Sequence, residues 1–96
     1  MSHEIQNLRK RLTTVMYEAA QEDDKILFLQ ESLESRLASK ETTLKNNWKW
    51  ENVYELGLEQ NALEIKIREA VKDKLINEAK FLRLMIQEAK EKLTHQ

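Results

Sequence analysis

The side chains able to carry chemistry are few, and their spacing does not bring them together. His3 and His95 are the two histidines of the 96-residue chain and stand near its opposite ends. An imidazole that binds a metal or moves a proton needs carboxylates or further imidazoles within reach. Helix bundles that hold paired iron or manganese take a Glu-x-x-His pair from each of two helices. Here the residue three before His95 is Lys92, and His3 has no carboxylate upstream. No metal site is expected.

Other chemistries meet similar obstacles. There is no cysteine, which excludes a disulfide framework and thiolate catalysis. Gly57 is the single glycine, so no glycine-rich loop can cradle a phosphate. Ser2 beside His3 is a terminal neighbour and not a triad. Carboxylates are plentiful, but on charged helix faces in high dielectric they titrate normally and do not form an acid and base pair. The expectation is a protein without catalytic residues or cofactor.

The most unusual stretch is Asn46-Asn47-Trp48-Lys49-Trp50. On a helix, positions 48 and 50 point about 200° apart, so the two indoles cannot enter one core. One ring is left for a protein partner, where tryptophan is enriched among the residues that carry binding energy. The plainer alternative packs both rings over the end of a hairpin and against a dimer neighbour. A nucleic-acid stacking platform with Lys45 and Lys49 is opposed by Glu51, Glu55 and Glu59, which follow directly.

The elements that position these residues are helices. The chain has no proline, and 34% of it is charged. Ile5, Leu8, Leu12, Val15, Ala19, Glu22, Ile26, Leu29 and Leu33 recur at alternating steps of three and four, an unbroken heptad pattern. Met16, Ala20, Leu27 and Leu37 widen that stripe, as expected where more than one neighbouring helix must be met. Ser2 is placed to cap this helix, with Glu4 in its first turn. The acidic run Gln21 to Asp24 is a possible break, but the heptad phase passes through it unshifted, so continuity is expected.

Residues 38 to 47, ASKETTLKNN, gather side chains that favour caps and turns. The expected fold is therefore all-α: a single helical domain forming a long antiparallel, coiled-coil-like hairpin, with helix one over about 3–41, a turn at about 42–46 and helix two over about 47–93. In helix two the main apolar line runs Val53, Leu56, Gln60, Leu63, Ile67, Val71, Leu75, Ala79, Leu82, Ile86, Ala89 and Leu93. From Leu63 to Ala79 the steps are all four, a stutter that should locally unwind a supercoil. A second line, Tyr54, Leu58, Ile65 and Ile76, lies on another face, and Phe81, Leu84 and Met85 broaden the stripe near the end. One partner helix cannot cover both lines. A homodimer forming an elongated four-helix bundle is the expected solution, with a self-association seam of Ile5, Leu8, Leu12, Val15, Ile26, Leu29 and Leu33 on helix one and Leu63, Ile67, Val71, Leu75, Leu82, Ile86 and Leu93 on helix two.

Charge supports the antiparallel arrangement. A reversal near the turn sets Arg9, Lys10 and Arg11 against Glu78, and Arg36 and Lys40 against Glu51 and Glu55, while Glu18, Glu22, Asp23 and Asp24 face Lys66, Arg68 and Lys72. Overall, 16 basic and 17 acidic residues nearly cancel, which removes the usual electrostatic argument for nucleic acid. The chain lacks a long apolar run and a signal-like start, so a cytoplasmic protein with no membrane association is expected. The function anticipated is a noncatalytic adaptor, chaperone or inhibitor binding another protein, with Trp48, Trp50, Tyr54, Leu58, Phe81, Leu84 and Met85 as candidate contacts. Two alternatives are a nucleic-acid-associated regulator using Lys66, Lys72, Lys74, Lys80 and Arg83, and a purely structural self-assembling coiled coil. Heptads are shared by helical hairpins of many kinds and assign no family.

Overall fold

The computed structural model describes residues 3–95. Two helices of 43 residues each, α1 (His3–Lys45) and α2 (Asn52–Thr94), form a helical hairpin. Their length follows from a composition without proline and with few residues that interrupt a helix. Glu4 lies in the first turn of α1 and Lys45 in its last, each with the sign that the helix dipole favours. The capping role expected of Ser2 falls outside the described residues. α1 passes through Gln21 to Asp24 without a break.

The connection lies later than the sequence indicates, at residues 46–51 and not 42–46. The polar cluster does not stop α1, because its side chains bond back along the helix. The Thr43 hydroxyl donates to the Ser39 carbonyl at 2.7 Å, and the Asn46 amide donates to the Thr42 carbonyl at 2.9 Å. The stop is Asn47, the one non-glycine residue at positive φ among the described residues, 58°. Its N–H bonds the Leu44 carbonyl at 3.1 Å, and the Trp48 N–H bonds the Thr43 carbonyl at 2.9 Å. This bond pair closes a helix through a left-handed residue, a place where asparagine substitutes for glycine. Asn47→Val is therefore expected to lower the unfolding free energy by about 1 to 2 kcal/mol, and Asn47→Gly to leave it equal or slightly higher. Thermal melts of the two variants check this, and equal losses would mean that the Asn47 side chain matters more than its backbone angle.

Two compact units are distinguished along the hairpin. The first takes α1 up to Glu22 and α2 from Val71 onward. Its core is Val15, fully shielded from solvent, with Ala79 and Leu82, and Leu8, Leu12, Leu75 and Met85 packed around them. Ile5, Ile86 and Ala89 are buried too. Arg11 bonds Glu78 twice, at 3.0 and 2.6 Å, the partner that antiparallel pairing assigns to it. The second unit, Asp23–Ala70, buries Ile26, Leu58 and Ile65 together with Asn61. Leu29 and Leu33 are half-buried there.

The face of α2 turned inward corrects the sequence reading. Leu58, Asn61 and Ile65 are buried in one unit, and Ala79, Leu82, Ile86 and Ala89 in the other. Arg68, Lys72 and Leu75, all half-buried, fill the steps between. Positions 58, 61, 65, 68, 72, 75, 79, 82, 86 and 89 alternate strictly by three and four, so α2 follows an unbroken heptad with no stutter. The apparent stutter arises because Asn61, Arg68 and Lys72 hold inward positions, and a line drawn through apolar letters alone steps around them. Leu63, Ile67 and Val71 are left exposed.

Candidate functional site

The hairpin end is built around Glu55, in the first turn of α2. The Glu51 carbonyl accepts from the N–H groups of Tyr54 and Glu55 at 3.0 and 3.2 Å, making Glu51 the residue that precedes the helix proper. Trp50 then stands one position before the cap and Glu55 four into the helix, positions that often hold two apolar residues packed together. Here the contact is polar. The Trp50 indole N–H donates to Glu55 Oε2 at 2.8 Å, and Lys40 Nζ donates to the same oxygen at 2.8 Å. Lys40 Nζ also lies 5.9 Å from the Trp50 ring centroid, and the rings of Trp50 and Tyr54 are 5.3 Å apart and tilted by 52°. These contacts bind α1 to the start of α2.

The Glu55 carboxyl is held below its ordinary pKa of 4.5, first by the hydrogen bond from Lys40 and then by that from Trp50. A carboxylate with a lower pKa in the folded chain stabilises the fold above the unfolded value and loses that contribution as pH falls through the folded one. The melting temperature of Glu55→Gln is accordingly expected to lie below wild type at neutral pH, with the gap closing as pH drops below 4.5. A gap that persists unchanged in acid would show that the charge is not its cause.

The two tryptophans separate into different roles. Both lie in the connection, so the helical angle expected between them does not apply. Trp50 is half-buried with its N–H satisfied, whereas Trp48 is 63% exposed. Beside Trp50 is an open cleft of about 310 Å³ lined by Ser35, Arg36, Ser39, Thr43, Trp50 and Tyr54. Gly57 faces Arg36, whose Nη1 stands 2.6 Å from where a Cβ would be. The close approach is thus made by a flexible guanidinium and not by backbone.

Among the other candidate contacts, Leu58 is buried in the second unit and Met85 packs on the core of the first. They belong to the hairpin's own packing. Tyr54, Phe81 and Leu84 are exposed. On the second unit, Val53, Leu56, Leu63 and Ile67 are also exposed, and they share the face of α2 opposite Leu58, Asn61 and Ile65. A cleft of about 510 Å³ lined by Asp24, Lys25, Phe28, Leu29, Glu64 and Arg68 opens on the same unit.

The basic residues do not gather on one strip of α2. Lys72 takes an inward heptad position and is half-buried, while Lys66, Lys74 and Lys80 are exposed at other angles. Arg83 reaches Met16 Sδ at 3.6 Å. Among the described residues there is no group of three or more His, Cys, Asp or Glu side chains that could hold a metal. No helix among the described residues is long and apolar enough to cross a membrane.

The chain matches no family model, no curated protein and no solved structure. Its function therefore has to be argued from these surfaces. Sequence reading missed Glu55 as the hub of the hairpin end, although the Lys40 and Glu55 pairing was legible as a charge block. It also missed Asn61, whose spacing of three from Leu58 and four to Ile65 is the signal that places it inward.

Proposed function

We propose that this chain is a noncatalytic protein-binding module: a homodimeric, cytoplasmic helical hairpin that holds another protein by packing helix against helix. The observation that carries the reading is the outer face of α2, where Val53, Leu56, Leu63 and Ile67 keep heptad spacing although α1 does not cover them, so that this face calls for a helix of a second copy and the hairpin end is left for another protein. Apolar residues at helical spacing are what a helix-binding surface requires. Trp48, exposed and fixed by the backbone bonds that end α1, supplies an aromatic anchor at the hairpin end.

Affinity capture from the native cell tests this with wild type, Trp48→Ala and Trp50→Ala. Trp48→Ala is expected to lose a dominant partner with helicity unchanged, whereas Trp50→Ala is expected to lower the melting temperature. If Trp48→Ala keeps every partner, the anchor is wrong. If wild type captures nothing and remains monomeric, so is the module.

A further inference from the structure

The outer face of α2 can be assigned an occupant, an inference that rests on the protein-binding reading and specifies its homodimeric part. We propose that the strip Val53, Leu56, Leu63 and Ile67 takes the same strip of a second copy, the two α2 helices running antiparallel about a two-fold axis midway between positions 60 and 63. A two-fold interface must be self-complementary, and this strip is. The antiparallel register sets Leu56 against the second copy's Ile67, Val53 against its Ala70 and Gln60 against its Leu63.

Charge selects this register over its neighbours. Glu59 and Lys66 are exposed on one edge of the strip, seven residues apart. In the proposed register each Glu59 lies across from the second copy's Lys66, so the pair forms twice. The other edge sets Gly57 across from Glu64 and brings no like charges together. Sliding by one heptad in one direction places Lys66 against Lys66, and in the other Glu59 against Glu59. A slide of two heptads opposes Leu63 with Lys74. A parallel pairing brings Glu59 against Glu64. Like charges in the one-heptad slides and the parallel pairing, and a lysine set against Leu63 in the two-heptad slide, disfavour these alternatives.

Sedimentation equilibrium across concentrations, with helicity followed by circular dichroism, tests the proposal. Wild type is expected to approach twice the chain mass, and Leu63→Glu to remain monomeric with unchanged helicity. Glu59→Lys and Lys66→Glu are each expected to raise the dimer dissociation constant about tenfold, and the two together to return it to within about threefold of wild type. A combined variant as weak as either single one overturns the register. A wild type that stays monomeric overturns the second copy as occupant. In that case the capture experiment with Leu63→Glu separates the two ideas: loss of another protein makes the strip that protein's site and leaves the binding module standing, and retention of every partner removes the strip from both the dimer and the module.

Discussion

Val15→Asp is expected to lower the melting temperature of the first unit steeply, while Leu63→Glu leaves helicity intact. Both substitutions put a carboxylate on an apolar heptad position. Val15 is 0% exposed among Ala79, Leu82 and the flanking leucines, and Leu63 is 58% exposed. A carboxylate buried among aliphatic side chains is either desolvated or protonated, and both routes cost free energy. The loss is on the order of 4 kcal/mol or more. A chain of this size is stable by roughly 5 to 15 kcal/mol in total, so between about a quarter and four fifths of that margin is removed. Val15→Ala deletes two methyl groups and should cost about 2 kcal/mol. Thermal melts by circular dichroism would separate the three variants. A Val15→Asp protein that melts like wild type would show that the buried cluster does not hold the helices together.

The contrast between these two positions also marks where the sequence is informative. α1 presents apolar residues at nearly every inward heptad position, so its buried face is legible letter by letter. Pairing was legible too, since Arg11 with Glu78 and Lys40 with Glu55 follow from opposite charges on two antiparallel elements. α2 hides its inward face because Asn61, Arg68 and Lys72 hold three of its positions. Long side chains can place an aliphatic stem against the partner helix and still send a charge to water, so polarity misreports their orientation. The turn was misplaced for a different reason. Helix termination rests on one backbone angle at Asn47, whereas the side chains of Thr43 and Asn46, with the same preference for turns, bond back to carbonyls of α1. The division of labour between Trp48 and Trp50 could not be read at all. It depends on the Trp50 hydrogen bond to Glu55, which exists only once the connection has its actual length.

Asn61 shows how a polar inward residue changes what the seam specifies. Its side chain is buried, and its amide donates to the Leu29 carbonyl at 2.9 Å. That carbonyl lies within α1 and retains its helical bond if Asn61 is replaced, so no orphan acceptor results. Asn61→Leu therefore exchanges one hydrogen bond, about 1 kcal/mol net, for an aliphatic side chain worth about 1.5 to 3 kcal/mol on burial. The variant is expected to melt higher than wild type, by an amount corresponding to about 1 kcal/mol. Asn61→Ala gains nothing and should lose about 2 kcal/mol. Stability is not the larger consequence. A lone asparagine at an inward position penalises any pairing that removes its partner, which is how such residues fix register and oligomeric state in coiled coils. With leucine at 61, helices shifted along the seam lose less, and the thermal transition is expected to be broader than that of wild type. A destabilised Asn61→Leu that melts as sharply as wild type would instead mean that the bond to Leu29 outweighs burial, and that register is set by Arg68 and Lys72.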